Sequence, residues 1–419
     1  MTTAYASTLP PLLRNAFPPS GLGPGEEAWI ARLQPTLDAE IAPAAAANDA
    51  RGRYPTESVA ALKRTGILQT SVPACLGGPG FGLRFSAEVQ ARIAVADPAV
   101  AQLFKIHDEV TREILVYGPE PFRRAVARRL LEEDIILGLA VAESGRKVDD
   151  PMTTTARPLP DGGFEINGRK IYTTGAAEAD LIAVWAFNPD APGVASDPLR
   201  GVQLNLVPRD AAGIEIHRDW NALGQRATDS GTVTFRNVRT DPTLRANDPG
   251  GAPLPTASLG YQVGFAAILI GVAVGGLKAA VPFVNGTSRP WPSAGVDSAA
   301  DDPYVRRLAG ELAADLAAAY ALTLDAADLV DAAAAGAIPR AAAAGPVYAA
   351  KSTASRAAIR ATMELCALLG TRSAIGGQGF DRYWRDARTL ALHDPVDWKN
   401  AELGRIVLGG WDPPPGVYQ

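Results

Sequence analysis

The chain contains three histidines, and His393 lies in the context that best suits chemistry. It precedes Asp394 and Pro395 in the stretch TLALHDPVDWKN. Aspartate is a preferred helix N-cap and proline a preferred first helical residue, so we expect the imidazole to be fixed beside a helix start. Imidazole titrates near neutral pH, which suits it to proton transfer. From these residues alone, a catalytic role and a helix-entry role are equally supported.

The other candidates have a simpler explanation in their local sequence. His107 follows Leu103 by four residues on a predicted helix, a spacing that favours a buried core histidine. His217 ends the strand-like run GIEIH, so a place at the surface or at a strand edge is expected. The adjacent hydroxyls of Thr173 and Thr174 lie in GRKIYTTG and, on spacing alone, are ordinary strand residues.

The composition excludes several classes of protein. The 419 residues are 47% hydrophobic and 20% charged, as in a globular chain of two or three domains. The net charge of -5 argues against nucleic acid as the main partner, because phosphate binding needs a basic field. Cys75 and Cys366 form no CxxC pair, and three scattered histidines cannot complete a zinc site. We therefore expect no metal and a reduced, cytoplasmic setting.

Neither a secretory signal nor a membrane segment is expected. The N-terminal sequence MTTAYASTLPPLLRNAFPPS has no basic segment followed by an apolar one. The most apolar run, residues 264–277, is shorter than a bilayer-spanning helix and rich in small residues, which predicts a buried, closely packed helix. The fingerprints of dinucleotide-binding folds, P-loop proteins and α/β-hydrolases are absent.

Helical spacing dominates the first third of the chain and then gives way to short β-like runs. Before residue 136 we predict four helices, over residues 26–47, from Thr56 or Ser58 to a stop at Gly66, over residues 86–118 and over residues 120–133. Six β-like runs separated by Gly, Pro, Asp and Asn then follow up to about residue 240. Among them, Asn167-Gly168 predicts the turn of a hairpin.

Helical spacing returns after a Pro/Gly-rich linker and lasts to the end of the chain. Val305, Leu308, Leu312 and Leu316 repeat at intervals of three and four and so share one helix face. The alanine-rich residues 332–345 contain breakers and predict a joint between two long helices. The order predicts an α+β fold of three domains, over residues 1–135, 136–245 and 246–419.

Several stretches resemble the acyl-CoA dehydrogenase superfamily over roughly residues 25–410, namely GLAVAES, NGRKIYTTGAAEADLIAV, GQRATDSGTVTFRNV and FDRYWRDAR. Where the dehydrogenases carry a Tyr-Glu-Gly-Thr run with a catalytic glutamate, this chain has Leu392-His393-Asp394-Pro395. The stretches SRPWPSAGVDSAADDPYV and TLALHDPVDWKNAELGRIVLGG resemble instead the dibenzothiophene monooxygenase branch of N- and S-oxygenases. The resemblance implies an N-terminal helical domain, a central β-barrel or sandwich domain and a C-terminal four-helix bundle.

The resemblance implies a monooxygenase that uses reduced flavin, more consistent with FMN than with FAD, together with O2. One oxygen atom would pass through a C4a-hydroperoxyflavin to nitrogen, sulfur or an activated carbon of a small organic substrate. The branch also implies a separate NAD(P)H:flavin reductase and a homotetramer built from dimers, with no nucleic-acid or membrane partner. Two alternatives remain open: an acyl-CoA dehydrogenase or oxidase with a relocated base, and a catalytically silent member that only binds a ligand.

Individual residues receive roles only through this resemblance. Thr174 matches the residue that contacts flavin N5, and His393 and His107 are the imidazoles available for acid-base chemistry. The remaining cofactor contacts implied by the matched stretches are Val141, Ser144, Tyr172, Thr173, Arg289, Trp291, Arg372, Gly376 and Gly377. The two arginines would hold the flavin phosphate. Ser373 replaces a glutamine that dehydrogenases place near the adenine half of FAD, which favours FMN.

Overall fold

The computed structural model of the chain describes residues 18–145, 150, 152–246, 255–375 and 377–416. From residue 18 onward, six helices precede the first strand: α1 Pro24–Thr36, α2 Ala42–Arg51, α3 Thr56–Thr65, α4 Leu83–Ala96, α5 Pro98–Tyr117 and α6 Glu120–Glu132. A π-helical turn, Leu37–Ile41, joins α1 to α2, so the predicted helix over residues 26–47 is confirmed as a nearly continuous helical stretch.

Two details of the predicted helices are wrong. Residues 86–118 form two helices, because Pro98 starts α5 and Asp97 caps it by accepting hydrogen bonds from Ala99 N (3.0 Å) and Val100 N (3.4 Å). The N-cap of α3 is Pro55, not Thr56 or Ser58. The stop at Gly66 is confirmed, since its φ of 73° is a left-handed conformation that glycine adopts without strain.

The middle of the chain forms one curled sheet of seven strands. They are β1 Leu137–Ala140, β2 Thr155–Pro158, β3 Phe164–Lys170, β4 Leu181–Phe187, β5 Val202–Pro208, β6 Ile214–Ile216 and β7 Val233–Arg239. The order is β1-β4-β2-β3-β7-β6, with β5 paired to β4. β1 runs parallel to β4, while β3 and β7 are antiparallel. The six predicted runs each contribute a strand, and β2 is the strand that sequence patterning missed.

The hairpin predicted at Asn167-Gly168 is wrong. β3 continues through both residues, and its register against β7 shifts between Ile166 and Gly168. A side chain at Gly168 would place Cβ 2.5 Å from the hydroxyl oxygen of Thr154, so glycine is required where β3 crosses its neighbour. Asn167 contributes its side chain to the bulge by accepting a hydrogen bond from Asn237 N at 2.8 Å. The Asn-Gly pair therefore bends a strand and does not end one.

The C-terminal part is helical: α7 Ala257–Gly286, α8 Pro303–Ala334, α9 Arg340–Met363, α10 Leu365–Leu369, α11 Asp381–Ala391 and α12 Val396–Gly409. The long helices α7, α8 and α9 pack on one another, and α7 also packs on α4. Leu312 and Leu316 are buried on α8, as their spacing predicts, and the break between α8 and α9 lies in the predicted joint. The division into domains at residues 135 and 245 stays a prediction.

α7 is longer than the sequence pattern indicated. Its 30 residues make it long and apolar enough to cross a membrane by length and composition, and it is the one such helix in the described part of the chain. However, 72% of its most apolar window is buried inside the protein. α7 is therefore the central helix of the C-terminal bundle, which agrees with the closely packed helix that its small residues predict.

Candidate active site

A chain of hydroxyl groups lies behind the segment that follows β3. Thr174 Oγ1 is 2.9 Å from Ser230 Oγ, which is 2.7 Å from Thr228 Oγ1. The backbone fixes the segment to β1, because the carbonyl of Thr174 accepts a hydrogen bond from Leu139 N at 3.0 Å. Thr174 is not a strand residue, since β3 ends at Lys170. The turn presents one buried hydroxyl that is already linked to two others.

The two neighbours of Thr174 have different surroundings. Thr173 is buried and donates its hydroxyl hydrogen to the carbonyl of Gly231 at 2.7 Å, so it ties the turn to the β6–β7 side of the sheet. Tyr172 has a φ of 54° and is 63% exposed, with its ring edge-on to Trp220 at 5.9 Å. This pair of one exposed and one half-buried ring beside the Thr174 turn is suited to contact a planar ring system.

The end of β1 is held by a buried ion pair that sequence patterning did not identify. Lys170 is fully buried and donates to the Val141 carbonyl at 2.9 Å and to Glu143 Oε1 at 2.8 Å. Burial alone would raise the pKa of Glu143, but hydrogen bonds from Lys170 and the Thr153 amide outweigh it and hold the pKa at about 2. Val141 is half-buried next to this pair and Ser144 is exposed, so the pair positions the loop of the expected flavin contacts.

His107 is fully buried, and backbone groups engage both of its ring nitrogens. Nδ1 accepts a hydrogen bond from Leu137 N at 3.1 Å, which leaves Nε2 as the donor to the Leu68 carbonyl at 2.9 Å. Burial lowers the pKa of His107, so the ring is neutral. This placement does not support the acid-base role that the resemblance implied, because no ring nitrogen is available to a substrate. His107 positions the first residue of β1.

The two remaining histidines are more accessible. His217 follows β6 and lies 2.8 Å from Thr234 Oγ1, which confirms its place at a strand edge. The side chain of His393 is 42% exposed, and the centroid of its ring is 4.0 Å from that of Phe265 on α7. Desolvation of the packed face lowers the pKa of His393, and the nearby Lys351 adds to the effect. The imidazole is therefore neutral near pH 7 and can accept a proton.

Asp394 does not cap the following helix as the sequence indicated. The N-cap of α12 is Pro395, and the helix begins at Val396. The Asp394 carboxylate is buried instead, 3.6 Å from Lys351 Nζ and 3.7 Å from Lys399 Nζ. Burial would raise its pKa, but His393 and the two lysines outweigh this effect and hold the pKa at about 2. Lys351 and Lys399 therefore stabilise the negative charge of Asp394, a role that the sequence had assigned to the backbone amides at the start of α12.

The predicted phosphate contacts gather near the end of α7. Arg372 is exposed and donates to the Thr287 carbonyl at 2.8 Å, while Arg289 and Trp291 follow the same helix end and are exposed. Neither arginine forms an ion pair with a carboxylate within the described residues. Gly377 has a φ of 92° and open space around it, whereas Gly376 lies outside the described residues.

These groups fit a flavin mononucleotide. Exposed arginines with no carboxylate partner among the described residues suit a phosphate, and the partly exposed aromatic pair with a hydroxyl beside it suits the ring. No group of three or more His, Cys, Asp or Glu side chains that could hold a metal ion occurs among the described residues.

Comparisons with known proteins agree with this geometry. Family models described as the N-terminal, middle and C-terminal domains of acyl-CoA dehydrogenase match residues 24–134, 138–238 and 263–398. Dibenzothiophene monooxygenase of Mycolicibacterium goodii is 33% identical, over 88% of this chain and 91% of that protein. The probable FMNH2-dependent monooxygenase SfnC of Pseudomonas putida is 30% identical, over 91% and 95% of the two chains.

The crystal structure of FMN-bound TdsC from Paenibacillus sp. A11-2 superposes with a TM-score of 0.87 at 32% identity, covering 94% of this chain and all of that one. These matches confirm the α+β fold and the family resemblance, and favour an oxygenase over the dehydrogenase and silent-protein alternatives. The chain belongs to the acyl-CoA dehydrogenase family and, within it, to the flavin-dependent monooxygenases.

Proposed function

We propose that this monooxygenase uses reduced FMN and O2 to oxygenate sulfur in a small organic molecule, with His393 as the acid-base group and Thr174 as the partner of flavin N5. The supporting observation is the half-exposed, neutral imidazole of His393 at the position where the family's dehydrogenases carry their glutamate base. Sulfur is favoured because the similar enzyme of Mycolicibacterium goodii is named for an organosulfur compound. Bound reduced FMN would supply the chemistry that activates O2.

The direction of the hydroxyl chain supports the role of Thr174. Thr228 donates its single hydroxyl hydrogen to the Gln225 carbonyl at 2.8 Å, so toward Ser230 it can only accept. Ser230 therefore donates to Thr228 and accepts from Thr174. This arrangement leaves the lone pairs of Thr174 Oγ1 available, and an acceptor is the group needed to hold the N–H of a reduced flavin at N5.

The phosphate contacts would come from Arg289 and Arg372, together with backbone near Gly377. Both side chains are exposed at the end of α7, and guanidinium groups bind phosphate in a bidentate manner. Tyr172 and Trp220 would line the ring, and Val141, Ser144 and Thr173 would shape the loop and turn around it. Trp291 and Gly376 complete the proposed contacts.

The test combines isotopic labelling with two matched variants. The enzyme is loaded with FMN, reduced without oxygen, and mixed with ¹⁸O2 and dibenzothiophene or a smaller thioether. We expect the parent enzyme to place one labelled oxygen atom in the sulfur product. The Thr174→Val variant should form less product and more hydrogen peroxide. Thr173→Val is the control, because the Thr173 hydroxyl donates to the Gly231 carbonyl and takes no part in the hydroxyl chain. Unlabelled product, or FMN oxidation that never yields an oxygenated product from any thioether or sulfinate, charged or uncharged, would refute the proposal.

The supply of reduced flavin and the assembly are also proposals. A separate NAD(P)H:flavin reductase would deliver the reduced FMN; the Pseudomonas putida relative is named as FMNH2-dependent. A homotetramer built from dimers would cover large apolar side chains that a single chain exposes on its C-terminal part, namely Trp291, Tyr304, Ile375, Trp398 and Leu408. Light scattering that reports a monomer at micromolar concentration would contradict the tetramer.

We also propose a cytoplasmic location. Cys75 and Cys366 are both exposed and unpaired thiols, which suits a reducing compartment. Fractionation of cells that express the protein without a tag tests this location.

A further inference from the structure

Two fully buried lysines meet at one aromatic ring behind His393. The ammonium of Lys105, on α5, lies 3.8 Å from the centroid of Phe265, and that of Lys351, on α9, lies 4.7 Å from it. Lys105 is 1% exposed and Lys351 is not exposed. Buried lysines are rare unless they are paired, and two beside one ring repel each other. The arrangement needs compensating negative charge.

The compensation within the described residues is incomplete at Lys351. Its carboxylate partner, Asp394, is 3.6 Å away, which is longer than a hydrogen bond, whereas the neighbouring Lys399 reaches its own carboxylate, Glu402, at 3.1 Å. No hydrogen-bond acceptor reaches Lys351 Nζ within the described part of the chain. Burial lowers the pKa of Lys351 to about 8, against the opposing effect of Asp394. A buried ammonium without acceptors is costly, so an additional acceptor at this point would be strongly favoured.

Lys105 is partnered, but by a weak acid. Its ammonium lies 2.5 Å from Glu109 Oε1, and burial raises the pKa of Glu109 to about 7. A side chain at position 264 would place Cβ 2.8 Å from Lys105 Cε and 2.7 Å from Gln90 Oε1. Gly264 on α7 thus leaves the room that Lys105 needs to reach Phe265. The close approach is built by residues from three helices, α4, α5 and α7.

The cluster adjoins the proposed active site through one ring contact. The ring of His393 contacts Phe265, with centroids 4.0 Å apart, and its side chain is 42% exposed. The ring of Phe265 is therefore in contact with the His393 imidazole and with the ammonium groups of Lys105 and Lys351. A single aromatic ring thus links the half-exposed imidazole to the two buried ammonium groups.

We propose that Lys105 and Lys351 bind a singly charged oxyanion of the substrate, such as a carboxylate, sulfinate or sulfonate, at Phe265. This inference rests on the proposed function, because it assigns the substrate class of the same site. An oxyanion supplies the acceptors that Lys351 lacks and reduces the repulsion between the two ammonium groups. The preferred substrates are therefore small organosulfur acids, since an uncharged aromatic thioether offers nothing to these lysines.

The test measures binding without turnover, on the FMN-loaded oxidised enzyme. Benzenesulfonate and benzoate are titrated by calorimetry, with benzamide as the uncharged match and benzylamine as the cationic match. We expect the two anions to bind at least about tenfold more tightly than benzamide, as hydrogen bonds to charged groups allow. Equal binding of benzamide, or preferred binding of benzylamine through Glu109, would overturn the proposal.

Lysine variants identify the groups responsible. Lys351→Met and the double variant Lys105→Met/Glu109→Gln should each weaken anion binding by about tenfold or more. The double variant avoids leaving Glu109 as an unpaired buried carboxylate. Lys399→Met is the matched control: this lysine is also buried in the cluster, but it lies over Tyr348 and not over Phe265. If Lys399→Met weakens anion binding as much as Lys351→Met does, the proposed site at Phe265 is refuted.

The remaining outcomes separate this inference from the proposed function. Circular dichroism and retained FMN binding show whether each variant is folded. A lysine variant that does not fold is replaced by Lys351→Gln or Lys105→Gln. If the anions bind through the lysines but no sulfur compound is oxygenated, the site stands and the reaction is wrong. If uncharged thioethers are oxygenated and the anions do not bind, the reaction stands and the site is wrong.

Discussion

The β-domain side and the helical side of the active site each bury a lysine, but the two lysines differ in their hydrogen bonds. Lys170 donates to the Val141 carbonyl and to Glu143, at 2.9 and 2.8 Å. Lys351 has a carboxylate at 3.6 Å and no acceptor in hydrogen-bonding distance among the described residues. Both side chains are fully buried. Burial alone therefore does not distinguish a lysine that stabilises the fold from one that is proposed to bind a ligand. The number of hydrogen bonds that its ammonium group makes within the protein does distinguish them.

The histidines on the two sides also differ in how completely their ring nitrogens are engaged by the protein. His107 lies against β1 with both ring nitrogens engaged by backbone groups, so it has a fixed tautomer and no capacity left for substrate. His393 lies on the helical side with 42% of its side chain exposed. The β-domain side thus carries a histidine whose hydrogen bonds are complete, and the helical side holds the groups proposed to act on substrate.

The largest expected effect is the loss of stability when Lys170, the lysine whose hydrogen bonds are made, is replaced. Lys170→Met removes the ammonium that donates to the buried Glu143 carboxylate, which should cost about 3–5 kcal/mol in the free energy of unfolding. Lys351→Met removes an ammonium that makes no hydrogen bond among the described residues, and Lys399 remains 3.7 Å from Asp394, so its cost should be smaller than that of Lys170→Met. Urea denaturation of both variants measures the difference. Equal costs for the two variants would contradict the distinction between the two sides.

The next effect separates the two histidines by activity. In His393→Ala, product formation should fall roughly 100-fold, the usual contribution of a positioned acid-base group, while FMN binding and melting temperature stay close to those of the parent. The reason is that the imidazole is partly exposed and the start of α12 at Val396 does not depend on it. Coupled product yield and thermal melting are measured on one sample. A variant that melts earlier but remains fully coupled would assign His393 a helix-entry role only.

The opposite pattern is expected for His107. His107→Leu leaves Leu137 N and the Leu68 carbonyl without partners inside the protein, at a cost of about 1–3 kcal/mol for each buried group. Turnover per folded molecule should stay nearly intact. Denaturation and activity per FMN-loaded enzyme check both parts, with His107→Gln as a control that can keep one of the two hydrogen bonds. A stable variant with lost turnover would return His107 to the mechanism.

The sequence predicted those parts of the fold that depend on local patterns. Apolar spacing located the long helices, and Gly66 marked a helix end. The errors arose where one local signal has two physical solutions. Asn167-Gly168 can form a hairpin turn or a bulge, and only the crossing over Thr154 selects the bulge. Asp394-Pro395 can start a helix with either residue as its cap, and the buried lysines draw the aspartate inward.

The site was predictable only where a short motif carries it. Thr174 and His393 were identified by resemblance, whereas the cluster at Phe265 has no motif. Lys105 and Lys351 are more than two hundred residues apart, and they meet because α5 and α9 pack on either side of α7. Likewise, the carbonyl of Leu68 and the amide of Leu137 that engage His107 come from separate segments. Contacts of this kind depend on tertiary packing, which spacing along the chain does not specify.

A smaller effect tests the direction of the hydroxyl chain. Thr228→Val removes the acceptor that directs the hydrogen of Ser230, so Ser230 can turn and donate to Thr174. The lone pairs of Thr174 would then be less available to the flavin, and hydrogen peroxide should rise a few-fold per FMN oxidised, less than in Thr174→Val. Peroxide and product are quantified together, with Thr173→Val as the control. Equal coupling in Thr228→Val and the parent would show that the chain has no fixed direction.

The smallest expected effect is a pH dependence of stability that belongs to His107 alone. Burial lowers its pKa, with Lys63 adding to the effect and Asp108 and Asp180 opposing it. Above the unfolded pKa of 6.5 the ring is neutral in both states, and its contribution is fully present. As pH falls below that value the unfolded chain binds a proton that the folded protein does not, so stability is lost by at most about 1.4 kcal/mol per pH unit. The difference in unfolding free energy between the parent and His107→Leu should therefore shrink between pH 7 and pH 5.5. A constant difference across this range would mean that His107 titrates equally in both states, and that its buried hydrogen bonds do not hold it neutral.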